Sequence, residues 1–210
     1  MSRDAKFISV IIVITIAIFG ALIILSMRKK ASPVDSTRLV REDSQQIGSS
    51  GAPVTLIEFA DLECEACRVA HPTVKKILEE YQGKIHFVFR NFPLHKNSVL
   101  AAKAAEAAGE QGKFWEMHDL LFQKQQEWGE KQTPQTELFM SYADELKLDK
   151  ERFSTSLNSA AYTDKINRDK DDGIASGVQG TPTFFLNGRQ LKGVPRYEEL
   201  KSLIEEELKK

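Results

Sequence analysis

The sequence predicts an α/β domain in which two strand-bearing segments flank an all-helical block, and three observations carry that prediction. A strand-like run, Val54 to Ala60, leads into a helix-like stretch, Arg68 to Tyr81, and then into a second strand-like run, Ile85 to Phe92. From Asn97 to about Asn158 apolar residues recur only at helical spacing. The final segment returns to strand patterning on either side of Asn187-Gly188, a two-residue hairpin signal, and ends on a helix from about Pro195 to Lys209. A length of 210 residues, 41% of them hydrophobic, suits one globular domain plus extra segments. The 29 basic and 30 acidic residues are interspersed, so no basic face for a nucleic-acid partner is expected.

The N-terminal extra is the run Phe7 to Met27, uncharged and bounded by Lys6 on one side and Arg28-Lys29-Lys30 on the other. Its length suffices to cross a bilayer, and its apolar core runs straight into three cations rather than a small-residue cleavage site. A single uncleaved transmembrane helix is expected, with residues 1–30 as cytoplasmic tail and anchor. The Ser, Pro, Gly and Gln content of residues 31–51 marks a tether, and Arg38 to Arg41 is expected to add a short edge strand.

The first main strand, Val54 to Ala60, is apolar on both faces except at Glu58, so a carboxylate is expected inside a buried central strand. Glu58 either finds a cation, Arg90 of the next strand being available, turns to the strand end, or lies unpaired beneath the residues that follow. In the last case it could pass protons or raise the energy of a nearby thiolate.

Those residues include Cys64 and Cys67, the chain's two cysteines, spaced as C-x-x-C at the strand-to-helix junction. Unpaired N–H groups and a partial positive charge at a helix start stabilise a thiolate, which makes Cys64 the candidate nucleophile. Cys67, one turn on, is the candidate resolving thiol. A zinc site would need two more ligands from His71, His86, His95 or His118, and two ordinary buried thiols form the other bland alternative. Arg68 stands where a c-type haem site needs histidine.

Within the helix Pro72 should introduce a kink near His71, itself expected to be a surface or packing residue. A helix between the two strands implies a parallel pair with a right-handed crossover. In the helical block Ala101, Ala104, Ala105 and Ala108 form a small-residue face. Phe114, Met117 and Leu121 form one apolar stripe and Leu138, Tyr142 and Leu146 another, all read as core. Asp149 is the expected N-cap of a short helix reaching Leu157, and a longer helix, about Ala160 to Ser176, returns to the sheet.

This order resembles the thioredoxin fold with an inserted helical subdomain, here about residues 96–158 of a domain spanning 52–210. Glu58-Phe59 six residues before Cys64, Phe92-Pro93-Leu94, Lys113-Phe114-Trp115 and Gly180-Thr181-Pro182-Thr183 all resemble the DsbA-like thiol-disulfide oxidoreductases. The resemblance implies an exposed nucleophile at Cys64, a cis proline at Pro182, substrate pairing by the backbone of Thr181, and a buried active-site glutamate at Glu58. It implies no cofactor. It also implies reduced secreted polypeptides as substrates, a quinone-linked membrane protein as recycling partner, and an extracytoplasmic, oxidising compartment. Glu65-Ala66 stands between the cysteines where strongly oxidising members commonly carry Pro-His, leaving open a reductase or isomerase of the same fold. A non-catalytic peptide-binding module is the rival of another class. Asp61, Glu63 and Glu65 crowd Cys64 in sequence and are expected to oppose its ionisation, making the pair more reducing than the strongest oxidants.

Overall fold

The computed structural model describes residues 36–210; the expected transmembrane anchor and residues 31–35 of the expected tether lie outside the described residues. The sheet is built from β1 (Gln45–Ile47), β2 (Val54–Ala60), β3 (Ile85–Asn91), β4 (Thr183–Leu186) and β5 (Arg189–Gln190). Their spatial order is β1-β3-β2-β4-β5. β2 and β3 pair in parallel, joined by helix α2 (Glu65–Glu80), while the β1–β3, β2–β4 and β4–β5 pairs are antiparallel. Six of the seven β2 residues are buried, as a strand covered on both faces requires.

The edge strand is not where the sequence suggested. Residues Ser36–Leu39 form a short helix, α1, and the strand that pairs with β3 comes later, at Gln45–Ile47. The reason is Arg90, whose guanidinium takes the carbonyls of Arg38, at 2.6 Å, and Leu39, at 3.0 Å, so these groups are committed to a buried cation. Gly48 then turns the chain at φ +85°, where a Cβ would lie 2.2 Å from the Ile85 carbonyl oxygen.

Alternation along β2 and β3 separates two cores. Leu56, Ala60, Phe87 and Phe89 face one side, where α2 buries Cys67, Ala70, Val74 and Ile77. Burying an isoleucine or valine contributes about 1.5–3 kcal/mol, so Ile77 and Val74 are a main anchor of this helix. Ile57, Phe59, Val88 and Phe92 face the other side with Leu39, Val178 and Phe185. Gly173 lets the covering helix approach, since a Cβ there would meet the Phe92 ring at 2.7 Å.

Between β3 and β4 the chain forms α3 (Ser98–Gly109), α4 (Phe114–Gln123), α5 (Gln125–Trp128), α6 (Thr136–Glu145), α7 (Lys150–Leu157) and the returning α8 (Ala160–Ala175). The alanine face of α3 is fully buried, and Asp149 caps α7 by accepting from the amides of Glu151 and Arg152, both at 3.0 Å. On α6 the buried residues are Phe139, Tyr142 and Ala143, while Leu138 and Leu146 are only half-buried, so the buried stripe is rotated from the expected one. α2 runs as one helix through Pro72. The chain closes with α9 (Tyr197–Glu207), whose Leu200 and Ile204 are fully buried.

Candidate active site

β2 ends at Ala60, and the next residues form a tight lead-in in which the Cys64 amide donates to the Asp61 carbonyl at 3.1 Å. Cys64 is the N-cap of α2, half-buried at the surface end, whereas Cys67 in the first turn is fully buried. Both are free thiols. The Cys64 Sγ lies 3.5 Å from the carbonyl oxygen of Thr181, in the loop before β4, and the Thr181–Pro182 bond is cis.

The two thiols are pushed apart in acidity. A hydrogen bond from Cys67, helped by the Thr181 side chain and the amides of Cys67 and Ala66, lowers the Cys64 pKa to about 5 against an opposing effect of burial. Burial, the hydrogen bond to Cys64 and the charge of Glu58 push the Cys67 thiol far up. The pair can therefore present one thiolate and one tightly held proton.

Glu58 sits beneath this pair, 3% exposed, and burial alone raises its pKa to about 8. Among the described residues no cation pairs with it. Arg90, the partner considered from sequence, lies opposite Phe59 in the parallel register, so the two side chains emerge on opposite faces of the sheet. Arg90 instead binds Asp169 at 2.8 Å and Asp172 at 2.6 Å.

The acidic crowding expected around Cys64 is also dispersed. Asp61 turns inward and accepts from the amides of Glu63 and Leu94, both at 2.8 Å, and from His95 Nδ1 at 2.6 Å. Glu63 accepts from the amides of Asn97 at 2.6 Å and Glu130 at 2.9 Å. Only Glu65 projects to solvent, with Arg68 3.1 Å away. Two contributors were missed in the sequence because they are remote from the cysteines. His95 has its pKa raised, against burial, by Asp61 and by the charge of Cys64, so an imidazole electrostatically coupled to Cys64 stands near it without lying between the cysteines. Gln125 donates to the carbonyls of Leu62 at 2.7 Å and Cys64 at 3.0 Å, fixing the lead-in from the helical insertion.

The histidines do not gather on the cysteines. His86 contacts Gln46 at 2.7 Å, His95 contacts Asp61, and His71 and His118 meet at Asp119.

A thioredoxin family profile matches residues 41–206. The chain belongs to the thioredoxin family. Among its relatives, the probable disulfide bond formation protein D of Bacillus cereus is 36% identical over 173 residues, covering 79% of each chain. Sodium/proton antiporter NhaA 3 of Salinispora tropica is 41% identical over 160 residues, which is 75% of this chain and 24% of that protein. The chain thus spans about a quarter of the length of its antiporter relatives. The oxidised form of BdbD from Bacillus subtilis superposes with a TM-score of 0.71 at 30% identity, covering 80% of this chain and 94% of that one. Among family members the likeness is therefore to the DsbA-like thiol-disulfide oxidoreductases.

Proposed function

We propose that the protein is a thiol-disulfide oxidoreductase that introduces disulfides into extracytoplasmic polypeptides through Cys64 and Cys67. The observation that carries this is the placement of the pair: Cys64 is half-buried at the N-cap of α2, 3.5 Å from the Thr181 carbonyl, with Cys67 fully buried one turn on, and that placement lowers the Cys64 pKa and raises that of Cys67. In the oxidised enzyme a substrate thiolate attacks Cys64 Sγ, the Cys64–Cys67 bond breaks, and Cys67 leaves with the electron pair and takes up a proton. Glu58, protonated at neutral pH and in electrostatic contact with Cys67, is placed to supply that proton. A second substrate thiol, deprotonated, attacks the substrate sulfur of the mixed disulfide and expels Cys64 as a stable thiolate. The substrate loses two electrons and the enzyme gains two. Thr181 orients the exchange: its carbonyl lies 3.5 Å from the Cys64 sulfur.

A low Cys64 pKa stabilises the reduced enzyme, which favours the oxidant direction over a reductase. The apolar run Phe7 to Met27 supports a membrane anchor with the domain in an oxidising compartment, and recycling then requires a membrane oxidant such as a quinone-linked protein. Mixing the oxidised protein with a reduced, unfolded polypeptide tests the reading. Transfer of one disulfide per chain is expected, and Cys67→Ser should accumulate the mixed disulfide while Cys64→Ser should not. Trapping by the Cys64→Ser variant instead would reverse the roles, and no transfer by wild type would refute the function.

A further inference from the structure

Between α2 and α4, a cavity of about 370 Å³ has His71, Lys75, Trp115, His118, Asp119 and Glu58 in its lining. His71 and Lys75 lie one turn apart on α2, while His118 and Asp119 are consecutive on α4. His71 Nε2 stands 3.2 Å and His118 Nδ1 3.4 Å from the same oxygen, Asp119 Oδ1, and the three atoms lie within 4.8 Å of one another. Lys75 Nζ holds the other carboxylate oxygen at 2.6 Å.

A hydrogen-bond network explains this poorly. A separation of 3.4 Å is long for an N–H···O bond, and His118 Nε2, on a residue only 3% exposed, has no hydrogen-bond partner among the described residues. A metal ion explains it better. Zinc–ligand bonds of ~2.0–2.2 Å place neighbouring ligands of a tetrahedral ion ~3.3–3.5 Å apart, close to the two separations observed at Asp119 Oδ1. Ligating carboxylates are ordinarily hydrogen-bonded through their free oxygen, as Lys75 is here, and a ligating imidazole ordinarily gives its second N–H to a carboxylate, carbonyl or water. The cavity offers Glu58 and room for water for that second nitrogen.

We propose that His71, His118 and Asp119 bind a divalent ion of the zinc class, with Lys75 supporting the carboxylate and the fourth position open to the cavity. The site is separate from the cysteines and does not depend on their chemistry. An ion there ties α2, which carries both thiols, to α4 of the helical insertion, and its cavity reaches the carboxylate beneath Cys67. His71 is then a ligand and not the surface or packing residue its sequence position suggests.

The test uses the untagged full-length chain in detergent micelles, oxidised so that its thiols cannot take up metal, dialysed against micromolar zinc chloride and analysed for metal. One zinc per chain is expected. His71→Ala and Asp119→Ala should each lower the affinity about tenfold or more, and zinc should raise the Tm of wild type but not of either variant. Lys75→Met should weaken binding less than either. His71→Gln, which keeps a polar side chain of similar reach, replaces His71→Ala should the latter not fold. No retained zinc, or retention by wild type and the His71 and Asp119 variants alike, overturns the site.

Discussion

The two faces of the central sheet each bury charge within one residue of the same point in the β2–β3 register, and they handle it in opposite ways. On the face toward α8, Arg90 is fully buried but surrounded by acceptors: Asp169, Asp172 and the carbonyls of Arg38 and Leu39. Arg41 adds a second guanidinium to Asp172, at 2.8 Å through Nη2. On the cysteine face Glu58 is equally buried and has no cation among the described residues, so its only route to low energy is to keep its proton. A buried charge with its partners holds segments together, whereas a buried carboxyl without them becomes a group that can exchange a proton near neutral pH. That contrast separates scaffold from chemistry within a few ångströms of sheet.

Breaking the scaffold side should give the largest effect. Arg90→Leu leaves Asp169 and Asp172 buried without their cation, and removal of one partner from such a cluster costs about 3–5 kcal/mol. This is a large fraction of the ~5–15 kcal/mol that stabilises a typical domain. Urea unfolding of the variant should show that loss or no folded baseline at all. A loss under about 1 kcal/mol would mean that Arg90 is not the keystone of that face.

The cysteine side should respond to pH with the opposite sign to an ordinary salt-bridged acid. Because the folded pKa of Glu58 is raised from 4.5 to about 8, the folded state holds a proton that the unfolded chain releases, so stability falls as pH rises between those values. At pH 7 the cost is about 3 kcal/mol, from 2.5 pH units at about 1.36 kcal/mol each. Glu58→Gln removes it. The variant should match wild type near pH 4 and exceed it by up to that amount at pH 7, the Cys64 contribution cancelling in the difference. Equal stability at both pH values would show that Glu58 has a cationic partner or ready access to water.

The same contrast explains what the sequence could reveal. Cys64, Cys67, the Asn187-Gly188 hairpin and the Asp149 cap depend on local patterns and were legible. The direction in which Asp61 and Glu63 point was not, because it is set by amides at Leu94, Asn97 and Glu130, 33 to 67 positions away. The faces of Glu58 and Arg90 required the β2–β3 register, which a loop of uncertain length hides, and a one-residue slip reverses the answer. The helix at Ser36–Leu39 likewise followed from acceptors that Arg90 needs and that no local pattern announces.

The smallest expected effect sharpens the chemistry side of the comparison. From sequence, Glu65 was one of three carboxylates opposing ionisation of its neighbour Cys64; in the structure it alone remains near the surface there, and its side chain is 78% exposed with Arg68 beside it. Water and a neighbouring cation screen such a charge, and exposed pairs of this kind are worth only about 0–1 kcal/mol. The largest influences on Cys64 come from Cys67, burial, Thr181 and backbone amides, and a change at Glu65 leaves all of them in place. Thiolate absorbance against pH should therefore give a wild-type midpoint near the value of about 5, and Glu65→Gln should move it by less than about 0.3 pH unit, or about 0.4 kcal/mol. The His95→Gln variant supplies the contrast, since removing the imidazole whose pKa Cys64 raises should shift the midpoint upward. A downward shift of a full unit in Glu65→Gln would restore the acidic neighbour as the control on Cys64 and make the surface, not the buried pair, the seat of the redox poise.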